Sequence, residues 1–284
     1  MIKDYNVISD QDRDDYLDLE NARKQNITIP YSIPILAQNY YELQKILKSD
    51  CFFEIGAFEA YFSRNMKSIF PNSKVYAFEA SPYCYDNYKN LNTSIDYLNV
   101  AISDKEGEID FILQDKNLSD QSEIEKIRGN NSILDRNDDT ILYKKISVKS
   151  TTFDLFVERE SLENFSISLW IDVEGANKNV LQGSKNFLKN VQSLLIEVED
   201  FEYWKNQWLS TDVDKFLKSF GFLPIARDFE DNNQYNIVYI NSMLLEDVNI
   251  SIQIKNWVHE YFSQIGLKTD TLENSEIIIG ALKE

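Results

Sequence analysis

The stretch Cys51-Phe52-Phe53-Glu54-Ile55-Gly56-Ala57-Phe58-Glu59-Ala60 constrains this chain more than any other. An apolar run of strand length ends near a carboxylate and breaks at Gly56 and Ala57. Ala60, Tyr61, Phe62 and Met66 then recur at helical spacing. The pattern predicts a buried parallel strand, a tight turn and a helix. That junction sets backbone N–H groups and the positive end of a helix dipole beside an open crevice, which suits a nucleotide-like ligand. Further on, Lys74-Val75-Tyr76-Ala77-Phe78 is a second apolar run that ends in Glu79 and is followed by Ala80, Ser81 and Pro82. An acid about 20 residues from the glycine turn is placed to accept hydrogen bonds from two ribose hydroxyls.

The same grammar continues along the chain. Ile29 to Pro34 is expected to run extended because each proline biases its predecessor away from the helical region, and a helix follows from Leu36 to Leu47. A third strand spans Tyr97 to Ile102 and ends at Ser103 and Asp104; Ile109, Phe111 and Leu113 then alternate as an edge or hairpin strand does. Residues 115–140 form a long polar connection, read either as a substrate lid or as flexible filler, with the patch Gly129 to Leu134 its most distinctive part. Ile146 to Lys149 is a short strand, and Thr152 caps the next helix. Ile167 to Val173 repeats the opening pattern: an apolar strand carrying Asp172 breaks at Glu174-Gly175, and a helix follows over Val180, Leu181, Phe187 and Leu188.

Then come a strand from Ser193 to Val198, an aromatic loop with Phe201, Tyr203, Trp204 and Trp208, and a helix from Asp212 to Phe220 stopped by Gly221. Leu223 to Ala226 and Asn236 to Ile240 pair as a final hairpin, and residues 250–262 form one more helix. Strands alternating with helices require an α/β fold, doubly wound around a mostly parallel sheet, to which the hairpin adds an antiparallel member. The expected division is an N-terminal helical extension over 1–35, the α/β domain over 36–245, and a C-terminal helix and tail over 246–284.

Charge narrows the partners. The chain has 284 residues with 29 Lys plus Arg against 47 Asp plus Glu, a formal charge of −18, which opposes nucleic acid and anionic membrane surfaces as partners. Neither the N-terminal residues nor any later run has the apolar length of a signal peptide or a membrane span, so a cytoplasmic location is expected. Cys51 and Cys84 lack metal-like spacing and are read as reduced and packed.

Taken in order, Phe53-Glu54-Ile55-Gly56-Ala57, Val75 to Pro82, Val100 to Asp104 with Gly107, Ser147 to Asp154, and Ile171-Asp172-Val173-Glu174-Gly175-Ala176 resemble the S-adenosylmethionine-dependent methyltransferases of the FkbM type. The resemblance covers roughly residues 40–240 and implies the seven-stranded Rossmann-like methyltransferase sheet. It implies S-adenosylmethionine as co-substrate, its amino-acid part near Glu54 and the turn amides, its ribose on Glu79, and its adenine near Ile102 to Asp104. The residues expected at the donor are Glu54, Gly56, Ala57, Glu79, Ala80, Ser103, Asp104 and Asp172. Asp172 and Glu174 mark the acceptor side, and the implied reaction is O-methylation of a hydroxyl on a sugar, a polysaccharide precursor or a similar polar metabolite. This chain departs from the family pattern at Ala60, where a second glycine is common, at Trp170, where lysine is, and at Asn177, where glutamate is. The alanine reads as mild, since a methyl group at a helix start costs little.

Transfer of a methyl group from a sulfonium needs alignment, exclusion of water and removal of the acceptor proton. The one histidine, His259, lies far from every strand end, so carboxylates are the candidate bases. Asp172 and Glu174 share a strand end, and two nearby carboxylates raise at least one pKa. Asp172 is the expected base, with Glu174 orienting the acceptor; the competing role for Asp172 is a helix cap. The hard carboxylate oxygens of Asp172, Glu174 and Glu197 or Glu199 suit a divalent metal, but the resemblance requires none, and no metal is expected. Tyr203, Trp204 and Trp208 either stack on sugar rings or pack the loop. A nicotinamide oxidoreductase lacks its glycine fingerprint here. A non-catalytic protein that kept the fold is the alternative.

Overall fold

The computed structural model describes residues 28–266. Residues 1–27 of the extension expected over 1–35, and residues 267–284 of the expected C-terminal tail, lie outside the described residues. Ten strands alternate with helices: β1 (Cys51–Ile55), β2 (Lys74–Phe78), β3 (Asp96–Leu98), β4 (Ala101–Ile102), β5 (Gly107–Asn117), β6 (Ile141–Thr151), β7 (Ile167–Ile171), β8 (Val191–Glu199), β9 (Phe222–Arg227) and β10 (Gln234–Asn241). Seven of them form one sheet in the order β3-β2-β1-β7-β8-β10-β9, parallel at β3, β2, β1, β7 and β8 and antiparallel between β10 and β9. A smaller sheet has the order β4-β6-β5.

Ser49–Val213 forms one compact unit, and the described residues 28–48 and 214–266 form a second. In the first unit every residue of β1 is buried, the signature of a central parallel strand covered on both faces. Phe53 lies parallel to Phe78 at 5.9 Å and meets Phe153 and Phe156 edge-on at 5.1 and 5.9 Å. Each such ring removed from water contributes about 1.5–3 kcal/mol. In the second unit, helices α1 (Ser32–Leu47) and α7 (Val248–Gln264) pack together, with the Trp257 indole donating to the Asn39 carbonyl at 2.7 Å and Asn39 Nδ2 to Gln264 at 2.8 Å. His259 lies exposed on α7, as an ordinary surface residue would.

Four expectations need correction. Helix α1 begins at Ser32, so Pro34 sits in its first turn, where a missing N–H costs no helical bond. The strand expected over 97–102 is two strands in two sheets, split where Asn99 turns aside to donate to the carbonyls of Glu79 and Ala80 at 2.8 and 3.2 Å. The alternating segment at 109–113 and the short strand at 146–149 belong to an antiparallel pair of 11 residues each, and residues 118–140 are the connection between them. The helix expected to run through Leu188 stops at Gln182 (α5, Asn177–Gln182). Helices α2 (Tyr61–Ile69), α3 (Pro82–Tyr88), α4 (Phe153–Arg159) and α6 (Ser210–Ser219) complete the fold, with Ser81 and Thr152 capping α3 and α4. None of the described helices is long and apolar enough to cross a membrane.

Candidate functional site

The ends of β1, β2 and β7 converge because the sheet places β1 between the other two, and Gly56 is the point of closest approach. Its φ is +84°, and a Cβ added there would lie 1.6 Å from the Asp172 carbonyl oxygen. Only glycine fits, for both reasons. The Asp172 amide continues the ladder by donating to the Ile55 carbonyl at 2.9 Å.

A cavity of about 190 Å³ opens at this junction. Gly56, Glu79, Ala80, Asp172 and Glu174 line it, together with Val100 to Ile102. Glu54 and Ala57, expected at the donor, do not line this cavity. Glu54 sits behind the turn, where one carboxylate oxygen accepts the Ser63 amide of the first turn of α2 at 2.8 Å. The turn amides are likewise taken: Gly56 and Ala57 both donate to the Phe78 carbonyl, at 3.0 and 2.8 Å, and Phe58 donates to Glu79 at 2.7 Å. Ser103 and Asp104 line a separate open cleft of about 450 Å³.

Glu79 holds the turn and the start of α3 at once, since its other oxygen accepts the Ser81 amide at 2.6 Å. Burial pushes the Glu79 carboxyl up to about 7 and Glu54 up to about 8, against the hydrogen bonds that favour their ionised forms. At Asp104 burial acts in the same upward direction, but hydrogen bonds from Asn179 and Ser103 outweigh it and hold the carboxyl below its ordinary value. Ala60 adopts the left-handed region, φ +56°, at the N-cap of α2. A non-glycine residue there costs roughly 1–2 kcal/mol, so the alanine is less mild than its sequence position suggests.

The acceptor side is more acidic than the sequence reading expected. Oxygens of Asp172, Glu174 and Glu197 all lie within 4.8 Å of one another. The register explains this: Ile171 pairs with Ile196, so Asp172 and Glu197 each stand one residue past the last pair. Burial raises all three carboxyls, and at Glu174 and Glu197 the charge of Asp172 adds to it. Two unit charges at that separation repel by about 3–4 kcal/mol at an effective dielectric near 20. Glu199, on the same face of β8, is fully buried and raised to about 8 by burial and by Asp172. Asp172 does not cap α5, whose N-cap is Ala176 with no side-chain bond.

The loop patch singled out by sequence belongs to the site. Gly129, Asn131, Ser132 and Ile133 line the cavity beside Arg128. Asn131 organises the loop by accepting the Gln114 amide and donating to the Arg128 carbonyl, at 3.0 and 2.9 Å. Ser132 bridges to Ile112, and its hydroxyl donates to the Glu174 carbonyl at 2.7 Å. Glu174 is held there in the left-handed region, φ +52°.

Trp204 is buried rather than offered to a ligand. Its indole fills the space a Cβ on Gly175 would need, and the Arg136 guanidinium lies 4.7 Å over its ring. Arg136 was missed by sequence reasoning, and Ser132 was noticed only as part of its patch, because nothing local ties them to a strand end some 40 residues away. Trp170 leans on Phe62, ring centroids 4.5 Å apart, and Asn177 donates to the Glu197 carbonyl at 2.7 Å. Both departures from the family pattern are therefore built into packing around the acidic cluster.

Residues 50–224 match the family model described as the methyltransferase FkbM domain. The 2-O-methyltransferase NoeI of Sinorhizobium fredii is 26% identical over 173 residues, which are 59% of this chain and 70% of that protein. Among solved structures, the precorrin-6y C5,15-methyltransferase of Geobacter metallireducens aligns with a TM-score of 0.37 and 13% identity, over 67% of this chain and 78% of its own. TrmK of M. capricolum, solved with S-adenosyl-homocysteine, aligns at 0.36 and 11%, over 80% and 97%. These two alignments are too loose to bear on chemistry.

Proposed function

The chain belongs to the FkbM methyltransferase family and is an S-adenosylmethionine-dependent methyltransferase, and from that premise we propose that it O-methylates a hydroxyl of a sugar, a polysaccharide precursor or a similar polar metabolite. The observation that carries the reading is the one cavity that Glu79, Asp172 and Glu174 line together at the strand ends. A donor with a ribose diol suits the Glu79 side. Its sulfonium suits a wall of carboxylates, which lose their cause for protonation when a cation arrives.

The acceptor enters between Asp172, Glu174 and the loop 128–133. Its hydroxyl proton passes to the Asp172 carboxylate as the oxygen attacks the methyl carbon. The carbon–sulfur bond breaks, and neutral S-adenosylhomocysteine leaves. Glu174 orients the hydroxyl. The donor residues in this reading are Glu54, Gly56, Ala57, Glu79, Ala80, Ser103, Asp104 and Asp172; Glu54 and Ala57 act from behind the turn by setting its shape. The α/β domain over 36–245 carries the activity. The similarity to NoeI, a 2-O-methyltransferase, supports a hydroxyl acceptor. Two buried free thiols, Cys51 and Cys84, agree with a reducing, cytoplasmic setting.

Titration calorimetry with S-adenosylhomocysteine and methyl-transfer assays with labelled donor against sugars, polyols and phenols test the proposal. Saturable binding with transfer to a hydroxylated sugar is expected. A folded protein that binds neither S-adenosylmethionine nor its product would overturn it, and transfer confined to nitrogen or phenolic acceptors would overturn the substrate class.

A further inference from the structure

We propose that Asp172, Glu174 and Glu197 hold one hard divalent cation, Mg²⁺, Mn²⁺ or Ca²⁺, on the acceptor side of the crevice. The resemblance required no metal, and the assignment comes from the geometry. One oxygen from each residue lies within 4.8 Å of the other two. Ligand oxygens around Mg²⁺ stand about 3 Å apart when adjacent and about 4 Å when opposite, and around Ca²⁺ the opposite pair reaches about 4.8 Å. The donor set is all carboxylate, which selects hard cations over zinc or copper. Carboxylates crowded this closely repel one another when ionised, and a divalent cation between them relieves that repulsion. Arg136, stacked on Trp204, favours the ionised form of Glu174.

A second observation points the same way. Glu199 is fully buried, its charge acts on Glu174 and Glu197 and that of Asp172 acts on it, and its Oε1 has no hydrogen-bond partner. Asn177, whose Nδ2 holds the Glu197 carbonyl, likewise has a buried Oδ1 that no donor reaches. The Asn177 oxygen is an acceptor and Glu199 becomes one once ionised, and a cation with its bound water satisfies such acceptors where a protein donor does not.

The role of the ion rests on the methyltransferase reading, whereas its binding does not. Asp172 and Glu174 line the cavity, so positions of the ion left open by the protein face the acceptor. A bound hydroxyl is acidified there, and each carboxylate that gives one oxygen to the ion keeps a second to take the proton.

The test is a Mn²⁺ titration of the full chain followed by electron paramagnetic resonance, with S-adenosylhomocysteine binding measured on the same samples. One saturable Mn²⁺ per chain is expected. Asp172→Asn and Glu197→Gln should each weaken it ten-fold or more, while Glu106→Gln and Glu108→Gln, at exposed acids elsewhere, leave it unchanged. Melting curves establish that each variant is folded, and Glu174→Gln stands in should Asp172→Asn fail to fold. A wild-type protein that binds S-adenosylhomocysteine but no Mn²⁺ at concentrations on the order of millimolar overturns the ion site and leaves the methyltransferase standing. Affinity within two-fold of wild type in both Asp172→Asn and Glu197→Gln also overturns it. Mn²⁺ binding that needs Asp172 and Glu197, without S-adenosylhomocysteine binding, keeps the ion site and removes the methyltransferase role.

Discussion

Replacing Gly56 by alanine tests how the two halves of the crevice are joined. The added Cβ would stand 1.6 Å from the Asp172 carbonyl oxygen, where contacts below 3.0 Å essentially never occur. The strand end must therefore retreat by about 1.4 Å. That displacement breaks the 2.9 Å bond from the Asp172 amide to Ile55, whose net value is about 1 kcal/mol. The left-handed backbone adds roughly 1–2 kcal/mol for any residue with a Cβ, and overpacking a full core adds about 1–3 kcal/mol. A loss of about 3–6 kcal/mol follows, a large fraction of the ~5–15 kcal/mol that stabilises a typical protein. Differential scanning fluorimetry should record a fall of about 10 °C, at roughly 2–4 °C per kcal/mol for a domain of this size. Donor affinity should fall at least ten-fold, since Glu79 and Asp172 would no longer face each other at the same separation. A variant melting within 2 °C of wild type with S-adenosylhomocysteine affinity unchanged would refute the claim that Gly56 is the hinge between donor and acceptor walls.

Asp172→Asn should lower turnover by at least 100-fold, the lower range for a lost general base, while donor affinity changes little; equal losses in both would show that Asp172 acts mainly on the donor. Glu79→Ala leaves the buried amides of Phe58 and Ser81 without an acceptor, so it should cost about 2–4 kcal/mol in chemical denaturation as well as donor affinity, and a variant that loses neither removes Glu79 from both roles. Glu54 and Glu79 titrate near 8 and 7 in the folded chain against 4.5 ordinarily, so the folded state keeps protons that the unfolded state releases. Donor-free stability should therefore be fullest below pH 4.5 and decline as pH rises toward 8, more shallowly in Glu79→Gln; melting temperatures that rise over that window, or an unaltered slope in the variant, contradict this. Ala60→Gly relieves the left-handed strain but removes a buried methyl worth about 0.8 kcal/mol, so stability should shift by less than about 1 kcal/mol, and a loss above 2 kcal/mol would show that the methyl's packing dominates.

The donor half of this molecule was legible because its information is local. A buried strand, a glycine that no other residue can replace and an acid at the neighbouring strand end are all written within 30 residues. The acceptor half was only half legible. Asp172 and Glu174 stand out at a strand end, but Glu197 and Glu199 sit inside a run that reads as an ordinary core strand. Two carboxylates on one face of that strand were the signal that it borders a polar site. The division of residues 97–102 between two sheets leaves no trace in alternation, because a strand that changes sheets keeps its pleat; Asn99, a poor strand former in mid-run, was the only hint. Arg136 and Trp204 meet across 68 residues of sequence, and no periodicity reports a contact of that range.

The bond from the Ser132 hydroxyl to the Glu174 carbonyl has a consequence for how acceptor choice can be altered. The loop that faces the acceptor and the backbone that presents the acid are fastened at one point. Exchanging residues 128–134 between relatives, as one would to transplant specificity, would also reset the Glu174 backbone. Segments 128–134 and 172–177 form one cassette, and they will have to be moved together.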